Sequence, residues 1–136
     1  MANGATHLHA TAVALGKRAA LLRGASGSGK SDLAFRFLTL PQESFRALSG
    51  NPHALPRLVS DDQTQLTVED NKLIARPPAT IRGKLEVRGI GLIEVAHVEQ
   101  AEIVCVVDLV KPESIERMPE PAHMAVLGLN VPMFRL

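Results

Sequence analysis

The chain has 136 residues, 46% of them hydrophobic and 21% charged, with 15 Lys+Arg against 14 Asp+Glu for a net charge of +1. That balance predicts one globular domain and excludes long disorder and a large basic footprint for nucleic acid. No apolar run approaches the ~18 residues of a membrane span, Met1–Thr6 lacks a secretory pattern, and Cys105 is the only cysteine.

A lone cysteine forms neither an internal disulfide nor a cysteine-rich metal site, so a reducing, cytoplasmic setting is expected. Four Phe with no Trp or Tyr leave the core to Leu, Val, Ile and Ala. Base stacking on Trp or Tyr is excluded, which lowers the single-stranded nucleic-acid class further.

His9–Leu15 reads as a strand, with Thr11, Val13 and Leu15 alternating against small residues. Gly16-Lys17 reads as a turn and Arg18–Arg23 as a short buried strand. A Gly-rich segment, Gly24–Ser31, follows. Leu33, Phe37 and Leu40 then repeat at helical spacing, predicting a helix over Asp32–Leu40 that Pro41 stops. Pro41–Pro56 reads as a long loop, with one helical turn at Glu43–Leu48.

Arg57–Ser60 is a predicted strand that runs into Asp61-Asp62, and Gln65–Glu69 with Lys72–Ala75 reads as a hairpin across Asp70-Asn71. Lys84–Val87 is extended, Arg88–Gly91 is a Gly-flanked connection, and Leu92–Val95 is expected to continue the sheet. Ala101–Leu109 is the most β-branched segment and a predicted central strand. Pro112, Pro119, Pro121 and Pro132 predict an irregular tail, with a short helix at Glu120–Leu127.

The strongest chemical signal is Gly24-Ala25-Ser26-Gly27-Ser28-Gly29-Lys30-Ser31, which fits the P-loop pattern G-x-x-x-x-G-K-[S/T]. Glycines let the backbone curl so that consecutive N–H groups face a phosphate. A helix starting near Lys30 adds its positive end. Lys30 can reach the outer phosphates and the Ser31 hydroxyl can ligate Mg²⁺. The strand before and the helix after supply the context this motif requires.

Asp61-Asp62 is the second signal. P-loop proteins hold Mg²⁺ with the loop Ser/Thr and an acid from a second strand. Adjacent residues at a strand end point to opposite sides, so one acid can face the metal and the other the nucleophile. An ordinary turn is an equally good reading of the spacing alone. The third signal is Leu85–Glu94. Glu86 and Arg88 share a strand face, which by itself suggests a salt bridge. His7, His53, His97 and His123 lack metal-ligand spacing and are expected to be solvated, and Cys105 is expected to be a buried, inert thiol.

Three blocks together give the chain a resemblance to the catalytic domain of HPr kinase/phosphorylase, in the short form found in alphaproteobacteria. They are His9 followed by the P-loop GASGSGKSDLA, the run Leu58-Val59-Ser60-Asp61-Asp62, and the block LEVRGIGLIEV over Leu85–Val95. The last block is the most specific, since a generic P-loop protein has no reason to carry it. The resemblance implies an α/β fold with a P-loop-containing, partly antiparallel sheet and flanking helices, in a single domain over 1–136. It also implies ATP- and Mg²⁺-dependent phosphorylation of a serine in the HPr-type phosphocarrier of the phosphotransferase system, with phosphorolysis as the reverse direction, and sometimes pyrophosphate as donor.

Carried over residue by residue, Lys30 holds the transferring phosphate, and Ser31 and Glu86 ligate Mg²⁺. Asp61 is the base that accepts the serine proton, Asp62 sits beside it near the metal, His9 lies close to the carboxylate, and Arg117 matches a later active-site arginine. The resemblance further implies a homo-oligomer, a hexamer in most of the family. Set against the family pattern, these 136 residues are expected to lack a counterpart of the usual N-terminal domain and of the later segment tied to dephosphorylation, so the kinase direction is the one expected.

Two other classes compete. A nucleotide-binding regulatory module would bind ATP with little turnover. A metabolite kinase would need an Arg-rich lid, and Pro41–Arg57 offers only Arg46 and Arg57. The missing Trp and Tyr predict loosely held adenine and broad nucleotide choice.

Overall fold

The computed structural model of the protein describes residues 4–41, 43–44, 54–115 and 120–136. The elements in chain order are β1 (Ala5–Leu8), β2 (Ala10–Leu15), β3 (Arg18–Arg23), α1 (Lys30–Leu38), β4 (Pro56–Ser60), β5 (Thr64–Glu69), β6 (Lys72–Arg76), β7 (Lys84–Val87), β8 (Gly91–Glu94), β9 (Ala101–Asp108), β10 (Ala122–Val126) and β11 (Leu129–Arg135). This is the expected α/β class with a partly antiparallel sheet. Besides α1, Glu43 and Ser44 are helical among the described residues, and two short 3-10 turns stand at Ala79–Ile81 and Pro112–Ser114.

The main sheet runs β1-β5-β6-β9-β3-β2-β4, and β11 joins it on β9 with β10 outside it. β9 is the hub, as its β-branched run predicts. It lies parallel to β3 from Glu102 to Asp108 and antiparallel to β6 at Ala101 and Glu102. Its far end pairs parallel with β11 at Val106–Asp108. The sheet therefore forks along β9.

Side-chain alternation gives the sheet two covered faces. Ala10, Ala12 and Ala14 of β2 join Leu21, Val59, Leu66, Leu73 and Val106 in one buried cluster. Val13, Leu22 and Leu58 point the other way, with Ala34 of α1 and Leu85 and Val87 of β7. Small alanines on β2 leave room for the larger residues that the curled sheet brings over them, the close packing expected of a protein core.

The helix begins at Lys30, two residues earlier than its apolar pattern suggests. Gly29 takes φ 101° and Leu33 N–H donates to its carbonyl at 2.9 Å, which starts the helix there. It ends before Thr39, whose hydroxyl donates to the Phe35 carbonyl at 2.9 Å. The helical turn expected at Glu43–Leu48 lies mostly outside the described residues.

Two expectations are corrected. β8 does not continue the main sheet: β7 and β8 pair only with each other. Leu92 is 66% exposed and most of β8 faces solvent, so it has no second apolar face to add to a ladder. The tail is not irregular, and Glu120–Leu127 is not a helix. Met124 and Val126 alternate inward on β10, Leu129, Val131 and Met133 on β11, and the two strands form a hairpin. Its turn, Leu127-Gly128, has positive φ at both residues, as two-residue hairpins prefer. A third strand missed by composition, β1, pairs with β5 at the sheet edge. No helix among the described residues is long and apolar enough to cross a membrane.

Candidate active site

β3 delivers the chain to the phosphate loop and β9 fixes its exit. Arg23 donates two hydrogen bonds to Asp108, at 2.7 and 2.8 Å, across the paired ends of β3 and β9. Burial and this pairing compete on Arg23, and the carboxylate partner prevails, raising its pKa further. Leu109 N–H then donates to the Arg23 carbonyl at 2.8 Å. Gly24 follows in a tight space: a Cβ there would stand 2.4 Å from Ser28 Oγ and 3.1 Å from the Leu109 carbonyl.

Ala25–Gly29 is exposed, closed on itself by Ser28 N–H to the Ala25 carbonyl at 2.9 Å. Gly27 at φ 82° and Gly29 at φ 101° take the left-handed conformation that curls such a loop. Lys30 is buried, at 6% exposure, and its Nζ donates to the Gly24 carbonyl at 2.9 Å and toward that of Ala25 at 3.4 Å. The ammonium thus spans the mouth of the loop, beside the helix N-terminus that favours anions.

β4 brings the two aspartates. Val13 pairs with Leu58 and Ala12 with Ser60, so β4 carries a bulge at Val59 opposite β2. Bulges re-aim the residues beyond them, and here Asp61 turns toward the phosphate loop. Asp61 is 7% exposed and collects three donors. Ser31 Oγ donates to Oδ1 at 2.7 Å and Thr11 Oγ1 to the same oxygen at 3.0 Å. Glu86 N–H donates to Oδ2 at 3.0 Å.

Asp62 is different. It sits in the middle of a three-residue turn closed by Gln63 N–H to the Asp61 carbonyl at 2.7 Å, with φ 65°. Such a conformation is uncommon outside glycine and clusters at functional sites. Its side chain is 56% exposed and lies 2.8 Å from His9 Nε2. The two adjacent acids thus face different surroundings, as expected for neighbours at a strand end.

His9, Lys30, Ser31, Asp61 and Asp62 are therefore brought together around the loop, with Gly24–Gly29 as its backbone. Glu86 reaches the cluster through its main chain; its side chain is exposed. No Glu86–Arg88 ion pair occurs among the described residues. Arg117 lies outside the described residues.

His7, His97 and His123 are exposed, whereas His53 lies outside the described residues. Cys105 is half-buried and burial pushes its thiol pKa up, away from reactivity. Thr11 is the site residue that the sequence reading passed over. Its signal was there: a polar residue two positions after His9, in a strand otherwise filled with Ala, Val and Leu.

The arrangement fits a metal-assisted phosphoryl site. The Ser31 hydroxyl and Asp61 carboxylate converge at a helix start, which suits a hard cation that takes most of its ligands from water and phosphate. No group of three or more His, Cys, Asp or Glu among the described residues forms a self-sufficient metal cage.

The family model of the HPr Serine kinase C-terminal domain matches residues 2–136. An HPr kinase/phosphorylase of Clostridium beijerinckii is 34% identical over 90 residues, 66% of this chain and 25% of its own length. One of Malacoplasma penetrans is 27% identical over 140 residues, 94% of this chain and 42% of its own. The chain thus spans between a quarter and about two fifths of the length of these curated relatives. The structure of the Hpr(Ser) kinase/phosphatase from Coxiella burnetii aligns with a TM-score of 0.78 at 28% identity, covering 96% of this chain and 78% of that one.

Proposed function

The chain belongs to the HPr serine kinase C-terminal domain family, and from that premise we propose that it transfers the γ-phosphoryl group of ATP to a serine hydroxyl of an HPr-type phosphocarrier protein. The observation that carries this reading is the separation of two adjacent acids. Asp61 is locked against the P-loop serine, while Asp62 is exposed beside His9.

Phosphoryl transfer asks a protein for positioning and charge neutralisation. Lys30 and the loop backbone orient the phosphates. Ser31 and Asp61 would hold Mg²⁺, with Glu86 as a further candidate; when bound, the metal neutralises phosphate charge.

The roles of the two acids are exchanged relative to the family carry-over. Asp61 has three fixed donors on its two oxygens, and a carboxylate offers only about four acceptor positions. Little room is left there for a substrate hydroxyl. Asp62 is open to solvent and to a partner surface. Asp62 therefore takes the proton as the serine oxygen bonds to the γ-phosphorus and the bond to ADP breaks. His9, 2.8 Å away, orients the Asp62 carboxylate. In the reverse direction an oxygen of hydrogen phosphate bonds to the phosphoserine phosphorus as the bond from that phosphorus to the serine oxygen breaks; the proton of the hydrogen phosphate passes through Asp62 to the serine oxygen, and pyrophosphate leaves.

The setting proposed is cytoplasmic and the assembly a homo-oligomer, which sedimentation of the purified chain measures directly. Transfer of labelled phosphate from ATP to a serine of HPr, abolished in Lys30→Met and in Asp62→Asn, tests the activity. ATP binding with no transfer to HPr at any Mg²⁺ concentration would instead favour the regulatory module.

A further inference from the structure

Thr11 is fully buried on the α1-facing side of β2 and lies between the two acids. Its single hydroxyl is used twice. It donates to Asp61 Oδ1 at 3.0 Å, and it accepts the backbone N–H of Asp62, also at 3.0 Å. A valine of the same shape would fill the strand position equally well and suit its apolar neighbours better. A buried hydroxyl is favoured only where its hydrogen bonds are satisfied, and both bonds of this one end on the candidate site.

The second bond matters most. Asp62 stands at φ 65°, a conformation that costs a non-glycine residue free energy unless its surroundings enforce it. The turn supplies one constraint through Gln63 N–H to the Asp61 carbonyl. Thr11 supplies the other by holding the Asp62 amide. With that amide fixed, the Asp62 side chain leaves the backbone toward His9.

We infer that Thr11 is a positioning residue for phosphoryl transfer, whose hydroxyl keeps Asp61 against the P-loop serine and Asp62 turned out toward the protein substrate. The inference rests on the kinase reading for its catalytic consequence, but not for its geometry. Thr11 touches neither the phosphates nor the acceptor hydroxyl; it acts through the two aspartates. One proton donor and one acceptor site on the same oxygen make the two placements interdependent.

The test uses Thr11→Val, which removes the hydroxyl and keeps the shape, and Thr11→Ser, which restores it. Two readouts separate the geometric claim from the kinase reading. In amide hydrogen exchange on the intact chain, the Asp62 amide should exchange about tenfold faster in the valine variant and return to the parent rate in the serine variant. In transfer assays, kcat for HPr should fall about 10- to 100-fold in Thr11→Val, with KM for ATP within about twofold, and Thr11→Ser should recover most of it.

Unchanged Asp62 exchange in Thr11→Val overturns the inference, whatever the activity. So does a kcat loss of equal size in the valine and serine variants, which would mean that the methyl group matters and the hydroxyl does not. A parent chain that never phosphorylates HPr refutes the kinase reading instead, and the exchange data then still decide whether Thr11 holds the Asp62 turn. Should Thr11→Val fail to fold, Thr11→Ala removes the same hydroxyl and is read in the same two ways.

Discussion

Replacing each aspartate by asparagine separates the two acids more sharply than activity alone. In Asp61→Asn one carboxylate oxygen becomes an NH₂ group. Thr11 and Ser31 hydroxyls point at one oxygen and Glu86 N–H at the other. Turned one way, the NH₂ faces the Glu86 N–H, donor against donor; turned the other, it faces the two hydroxyls, which can accept from it but lose the acceptor for their own protons. An orphaned polar group in a buried setting costs about 1–3 kcal/mol, and Asp61 is 7% exposed. For a domain of this size each kcal/mol shifts Tm by about 3 °C, so Tm should fall by about 3–9 °C.

Asp62→Asn should behave oppositely. Its side chain is 56% exposed and its His9 partner 58%, and exposed pairs of this kind contribute little to stability. Its Tm should stay within about 2 °C of the parent, while transfer to HPr falls at least about 100-fold through loss of the base. Differential scanning fluorimetry without nucleotide and a labelled-phosphate assay give both numbers. Equal melting temperatures for the two variants would refute the convergence of donors on Asp61. Near-parental kcat in Asp62→Asn would refute the base.

Gly24→Ala should weaken nucleotide binding by about tenfold in titration calorimetry, because Ser28 must turn its hydroxyl aside and the loop must shift by a few tenths of an ångström from Ser28 Cβ and the Leu109 carbonyl; parental affinity would mean the loop gives way freely. Asp108→Asn should lower the urea midpoint by an amount equal to about 1–3 kcal/mol, since the bidentate pair to Arg23 is only partly exposed. Arg76 holds the Glu69 carboxyl down at about 2, with a Thr67 hydroxyl adding to the effect. A depressed acid contributes stability above its unfolded pKa and loses it as pH falls, so this contribution should fade from about pH 4.5 to about 2 and shrink with salt. Glu69→Gln should flatten the pH–stability curve in that window. Competition binding should find ATP and GTP of similar affinity, because no Trp or Tyr is present to grip the base.

The site was largely legible because its chemistry is local in sequence. The eight residues Gly24–Ser31 and the pair Asp61-Asp62 are contiguous, and periodicity places strands before them. What was hidden depends on tertiary contacts. Asp61 and Asp62 are interchangeable as letters; only the β4 bulge, the Ser31 contact and the turn at Asp62 assign them different surroundings.

Thr11 looked like one more alternating strand residue, since its hydroxyl partners lie 50 and 51 positions away. The two hairpins make the same point. Asp70-Asn71 takes positive φ at both residues and announces a turn, whereas Leu127-Gly128 adopts the same geometry with a leucine that no turn preference favours. Its prolines suggested irregularity, yet Pro132 is accommodated within β11 opposite His123.

The Arg23–Asp108 clamp has a mechanical consequence. The phosphate loop is a short span between two abutments, one where β3 is bolted to β9 and the other where α1 takes its first turn at Gly29. Between them a single main-chain bond, Ser28 to Ala25, ties the span to itself. The compliance of that span is set at its supports, and one support is built from a residue 85 positions downstream of its partner. Changes near the end of β9 should therefore retune phosphate affinity without altering a single residue of the loop.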